Sequence, residues 1–312
     1  MIDSSLAALS DNLFTVSVVL YSLAVVAFCA ELAFGRSQAA PRELVAAGGG
    51  DASGRPGDAL PDEPQRARRL GAVAMGLTVV GLVAHAGVLV TRGLAADRLP
   101  WGNMYEFATA VVLVAVISFT VLALRAPVLR HIGAFVLGPV VLAMVLIGLF
   151  LYASAGPLVA ALRSWWLAVH VTTAILGFGI FFVSGIASAL YLVVSRPGER
   201  SGLLARLPSA AVLDRVAHRT AVFGFPIWTF AVMAGAIWAE SAWGRFWGWD
   251  PKETWAFIAW VVYAAYLHAR TTAGWRGRGA AWVNVVGLVV MIFNLLFVNL
   301  VSTGLHSYAG VS

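Results

Sequence analysis

The chain has 312 residues, 60% of them hydrophobic and 12% charged, with a formal net charge of +6. This composition excludes a soluble globular domain. A modest positive balance carried by loops beside anionic lipid is no sign of a nucleic-acid partner.

Apolar runs of about 20 residues, long enough to cross a hydrocarbon core of about 30 Å, recur along the sequence. Eight are predicted, at about 13–34, 71–91, 104–124, 132–153, 166–194, 220–239, 253–270 and 281–303. The predicted fold is therefore all-α, a polytopic integral membrane protein of about eight transmembrane helices. The first run has no basic start and no small-residue cleavage site, so it reads as a retained helix over 1–34 and not as a signal peptide. Its cysteine, Cys29, the single one in the chain, is expected to be a small buried core residue. With one thiol there is no redox pair.

Residues 35–70 (with AAGGGDASGRPGDALPDEP) are too polar and glycine-rich to fold alone and are expected to form a flexible cytoplasmic linker. The rest, 71–312, reads as one membrane domain. Of the 21 basic residues, sixteen fall in alternate connections: 35–70, 125–130, 195–219 and 270–278. The positive-inside rule puts those connections in the cytoplasm and both termini outside, in a bacterial plasma membrane. His85 lies well within the second run, roughly 21 Å above its inner end, where packing and function are equally open. NMYE at 103–106 offers Asn103 as a helix cap with Glu106 three residues on. His131 and His218, among arginines at cytoplasmic helix ends, read as surface residues.

The connection between the sixth and seventh runs is WGRFWGWDPKE, residues 243–253. Six tryptophans fall within 238–260: Trp238, Trp243, Trp247, Trp249, Trp255 and Trp260. An interfacial aromatic belt accounts for two or three of them; the remainder fit a platform for a large flat ligand. Asp250, Pro251 and Glu253 form a capping-box signature, which explains those three residues without a ligand. His170, in SWWLAVHV, and His306, in GLHSY, lie on the same predicted side as this loop. Each alone could be an interfacial residue; together they could approach one haem iron from opposite faces. His268 is fifteen residues below Glu253, roughly 22 Å along a helix. His85 and His268 differ by about 13 Å in depth, too far to ligate one iron, so an axial partner for a haem on His268 would come from another chain. Arg245 and Arg98 could meet haem propionates or anionic lipid.

These segments, namely PWGNMYE, WWLAVHV, GFPIWTFAVMAGAIWAE with WGRFWGWDPKE, YLHAR and GLHSY, resemble the haem-handling superfamily defined by its WWD motif. The similarity covers about 70–310 and is strongest to the CcsA/ResC-type subunit (CcsB in some lineages) of the system II cytochrome c synthetase. The resemblance implies haem b as cofactor, with His170 and His306 as the external iron ligands and His268 as a transmembrane haem ligand. It implies cofactor-binding roles for Trp238, Trp243, Trp247, Trp249 and Asp250, the outer loop being 238–253. It also implies a ResB/CcsB-type membrane partner, apocytochrome c with its CxxCH segment as the acceptor, and membership of a holocytochrome c synthase complex. No catalytic acid, base or nucleophile is evident. Two other readings stand beside it: haem delivery alongside an ATP-driven exporter, and a non-haem channel or transporter. The chain has no nucleotide-binding loop of its own.

Overall fold

A computed structural model describes residues 2–35, 64–158, 162–198, 201–272, 274–302 and 304–306. Eight long helices cross it: α1 (Ser4–Phe34), α2 (Gln65–Ala96), α3 (Met104–Arg125), α4 (Gly133–Leu146), α5 (Trp165–Val194), α6 (Ala210–Trp243), α7 (Pro251–Thr271) and α8 (Arg278–Leu300). A 3-10 turn, Pro127–Ile132, leads into α4 and a π turn, Ile147–Leu151, ends it. Among the described residues there is no strand, as the sequence predicts. Seven helical segments are long and apolar enough to cross a membrane. The eighth, α7, has the length but carries Lys252, Glu253, His268 and Arg270 near its ends. The chain is a polytopic helical membrane protein.

The boundaries extend several predicted runs. Helix α1 starts at Ser4 because Asp3 accepts the backbone N–H groups of Ser5 and Leu6 at 2.9 and 3.2 Å. Helix α2 begins at Gln65, so the last residues of the expected 35–70 linker are helical. Residues 36–63 of that linker lie outside the described residues.

Polarity is arranged as a bilayer demands. On α1 the outward stripe is Val16, Val19, Leu23 and Val26, while Tyr21, Ala24, Phe28 and Leu32 face the core. Cys29 shares the outward stripe and is exposed, which corrects the expectation of a buried thiol. The helical period, set by Phe28 packing edge-on to Phe119 on α3, turns its neighbour outward.

Helix α5 is the hub, with 72% of its most apolar window buried. Between helices in lipid, association depends on close van der Waals packing, which small residues permit. A Cβ on Gly179 would come within 2.6 Å of Val114 on α3, and one on Gly185 within 2.6 Å of Leu288 on α8. Gly177 lies against Trp228 of α6, where a Cβ would meet the indole at 3.2 Å. Asn284 of α8 donates to the Ser184 and Ser188 hydroxyls of α5 at 2.9 and 2.8 Å, so its amide N–H groups stay paired in the apolar interior.

His85 is fully buried and ties three helices. Its Nε2 lies 3.1 Å from the Thr109 carbonyl on α3, and its Nδ1 3.3 Å from the Tyr21 hydroxyl on α1. A carbonyl can only accept, so Nε2 carries the proton and Nδ1 takes the tyrosine hydrogen. Neither nitrogen is left for a ligand. His131 and His218, expected at the surface, are half-buried. His131 is drawn in because the buried Glu31 carboxylate gathers Arg130 and, 4.0 Å away, His131. His218 sits on the flank of α6 beside the buried Val216 and Ala217.

At the end of the bundle that carries the tryptophan loop, Glu106 anchors the connections. Asn103 caps α3 by accepting the Glu106 N–H at 2.9 Å. The fully buried Glu106 carboxylate accepts from Arg92 Nε at 2.9 Å, from Arg98 NH1 and NH2 at 2.7 and 2.9 Å, and from the Gly102 amide at 2.7 Å. The same arginines reach the segment leading to α5, Arg92 bonding the Ala153 carbonyl and Arg98 that of Gly156. Removing one member of a buried ion cluster leaves uncompensated charge. Glu106→Gln is expected to destabilise the fold by about 3–5 kcal/mol, read as a lower thermal midpoint in detergent; an unchanged midpoint would show that the cluster carries no net stability.

Candidate functional site

The loop 244–250 owes its shape to two left-handed residues, Gly244 at φ 69° and Trp249 at φ 57°. Glycine takes this conformation freely; a tryptophan does so only when its surroundings hold it there. The hold is the capping box. Asp250 caps α7, while the Glu253 carboxylate reaches back through Oε2 to the amides of Gly248 and Asp250, both at 3.0 Å.

Asp250 has a second task. Its Oδ1 accepts the Leu305 amide at 2.8 Å and its Oδ2 takes His306 Nδ1 at 2.8 Å. Gly304 makes this approach possible, since a Cβ there would sit 2.6 Å from Asp250 Oδ1. Burial pushes the His306 imidazole toward its neutral form, a tendency the Asp250 contact only partly offsets. Burial also opposes ionisation of Asp250, yet the bonds from His306, Leu305 and Lys252 hold its pKa below the ordinary range. The pair is therefore a carboxylate accepting from a neutral imidazole. Nδ1 carries the proton and Nε2 the lone pair.

His170, on α5, is fixed the same way by a different acceptor. Its Nδ1 lies 2.8 Å from the Ala231 carbonyl of α6, so its lone pair is also on Nε2. The ring can lie this close to α6 because Gly235 has no Cβ, which would come within 2.7 Å of it. Trp238 joins the two histidines: it stacks on His170 with centroids 5.9 Å apart and planes 9° from parallel, and meets His306 edge-on at 5.9 Å. Trp243 packs edge-on against both Trp238, at 4.8 Å, and His306, at 5.0 Å.

These rings form one wall of an apolar cavity with about 1110 Å³ of empty space, part of it open to the surroundings. Trp101, Trp228 and Trp247 continue the lining, with Phe107 and Met291. A neutral imidazole pair with both Nδ1 protons committed, set among indole faces, is a donor set that fits an iron porphyrin.

The expected site residues fall into three groups. His170, His306, Trp238, Trp243 and Trp247 meet at the cavity. Asp250 stands behind His306 as its hydrogen-bond partner, and Trp249 turns outward, 64% exposed, against Trp247 and Phe257. His268 is exposed near the opposite end of α7. Of the two arginines considered for propionates, Arg98 is committed to Glu106, and Arg245 lies across Gly248 in the loop. Lys252, Trp101 and Trp228 line the cavity without having been singled out in the sequence. Trp228 stood inside GFPIWTF, and Lys252 is the single lysine of the chain, a signal available but unused.

The family model described as "Cytochrome C assembly protein" matches residues 101–306, which hold the whole cavity. The chain belongs to that family. Within it, the chain is a CcsA-type cytochrome c biogenesis protein. It is 34% identical to the cytochrome c biogenesis protein CcsA of Gloeobacter violaceus, over 76% of this chain and 86% of the relative. It is 35% identical to CcsA of Chlamydomonas reinhardtii, over 76% of this chain and 67% of that one. Among solved structures, the cytochrome c haem lyase CcmF has the same fold over 94% of this chain, with a TM-score of 0.62 at 17% identity; the match spans 46% of CcmF.

Because Asp250 orients His306 from behind, its loss in this CcsA-type chain reaches the cavity. Asp250→Ala is expected to lower affinity for an iron porphyrin by about 10–100-fold, measured by absorption titration of the purified protein. An unchanged affinity would show that His306 needs no orienting carboxylate.

Proposed function

We infer that the cavity holds haem b between His170 and His306 and presents it for attachment to apocytochrome c. One observation carries this reading: two imidazoles from distant parts of the sequence, each with Nδ1 fixed by an acceptor, converge on Trp238 at one cavity. Such outer-shell acceptors fix ring orientation and raise ligand basicity, as histidine metal ligands require. The family supplies the context of cytochrome c maturation.

Attachment adds the S–H of each CxxCH cysteine across a haem vinyl group; a C–S bond forms, the hydrogen ends on the neighbouring carbon, and no net oxidant is needed. The residues of this chain supply binding and orientation. His170 and His306 set the height and plane of the macrocycle, the indoles exclude water from its faces, and the reacting edge is held for the thiols. The substrate histidine then displaces one of the two imidazoles, which releases the product. In this reading the tryptophan end faces outside the cytoplasm. His268, exposed on α7, is one ligand of a second haem position, completed by a ResB/CcsB-type membrane subunit.

The test is the visible spectrum of the protein purified with its partner subunit. The wild type should show a low-spin b-type haem. His170→Ala and His306→Ala should each turn the outer haem high-spin, with low spin restored by added imidazole, and the double variant should lose that haem. A partner-bound wild type without haem, or variants with unaltered spectra, would remove the ligand assignment.

A further inference from the structure

The two histidines stand on different supports. His170 is the sixth residue of α5, the helix around which α3, α6 and α8 close. The backbone of α6 stands behind its ring: Nδ1 meets the Ala231 carbonyl at 2.8 Å, and a Cβ on Gly235 would come within 2.7 Å. His306 lies six residues past Leu300, the last residue of α8, on an irregular strip. A histidine that replaces either ligand brings its own backbone with it. On the His170 side α6 fills the space that this backbone needs. On the His306 side the space is filled by the strip 304–306, which can be exchanged for another strip.

The receptor for that strip is held independently of it. The Asp250 amide donates to Glu253 Oε2 at 3.0 Å, and the Asp250 carboxylate accepts the Lys252 amide at 3.2 Å. Toward the strip, Oδ1 accepts the Leu305 amide and Oδ2 accepts from His306 Nδ1, both at 2.8 Å. One donor is backbone and the other an imidazole. The carboxylate therefore recognises a histidine together with the amide of the residue before it, whatever side chain that residue carries. A CxxCH segment ends in such a pair. In the same register its five positions fall on 302–306, with Ser302, an oxygen analogue of cysteine, at the first cysteine and Leu305 at the second.

We propose that Leu305 and His306 are an internal stand-in for the Cys-His end of the acceptor motif, and that Asp250 is the binding site for that end. When the acceptor arrives the strip 304–306 leaves, His170 stays as the resident ligand, and Asp250 receives the acceptor's histidine and the amide before it. The inference rests on the reading of the cavity as a haem site and names which imidazole is displaced there.

The probe is the peptide Ala-Gly-Gly-Ala-His, which has no thiols and cannot be attached. The full-length protein, co-purified with its partner and loaded with iron protoporphyrin IX, is titrated with it as the His306→Ala and the His170→Ala variant. Free imidazole is small enough for either vacancy and should restore the low-spin band in both. The peptide should restore it in His306→Ala at a concentration about tenfold lower than in His170→Ala, the size of a charge-assisted hydrogen bond. A peptide methylated on the amide nitrogen before the histidine should lose about tenfold in His306→Ala. Equal restoration of the two variants, a preference for His170→Ala, or a methylated peptide that binds as well as its parent overturns the proposal, while the response to imidazole leaves the haem site standing. A second measurement keeps both histidines. A Cβ at residue 304 would lie 2.6 Å from Asp250 Oδ1, so Gly304→Ala weakens the internal competitor and should bind a fluorescent copy of the peptide about fivefold more tightly than the wild type. Unchanged affinity overturns the proposal without reference to iron. A wild type with no low-spin band removes the haem site and this inference together.

Discussion

The Asp250 carboxylate is shared by two parts of the chain that meet only in the folded state. Through Lys252 N it caps α7, and through Leu305 N and His306 Nδ1 it fastens the segment that follows α8. A helix N-terminus is a favourable place for a carboxylate because its amides lack partners within the helix. That preference positions the charge, and the carboxylate in turn gives the histidine a rigid base and a defined tautomer. The cavity depends on this contact, which fixes the plane of the His306 ring together with the edge-on packing of Trp238 and Trp243.

The other histidine is held by a different means. His170 borrows a backbone carbonyl, and it reaches Ala231 because Gly235 leaves room for the ring. The glycines of α5 act in the same way on a larger scale, letting α3, α6 and α8 close around one helix. In lipid, where tails are as apolar as leucine, backbone proximity and buried polar bonds replace the hydrophobic effect between helices. The bundle therefore holds its site between close-packed helices and not on a soluble domain. The cluster of Arg92, Arg98 and Glu106 ties the connections at the same end, beside the cavity.

Several roles could not be assigned from residue type. Arg98 and Lys252 are both basic residues at the same end of the bundle, yet Arg98 closes on Glu106 and Lys252 lines the cavity. His85 and His170 are both histidines within apolar helices, yet one bridges helices through both nitrogens and the other keeps a lone pair at the cavity wall. The difference lies in which partner the neighbouring helix presents at that depth, and no local pattern encodes it.

The sequence by itself determined the class, the eight helices and the gathering of the tryptophans with two histidines at one end of the bundle. Hydropathy and capping signatures act over a few residues to a few turns, and the bilayer enforces them strongly. Tertiary structure decided which rings enter the cavity. Trp238, Trp243 and Trp247 line it, while Trp249, one residue before the cap, turns outward because its left-handed backbone points the indole toward Phe257. It also decided that Cys29 faces outward and that Asp250 serves His306. Those outcomes depend on contacts between residues tens of positions apart, such as His170 with Ala231, 61 positions on, and Phe28 with Phe119, 91 positions on. Only the packed bundle brings such pairs within reach.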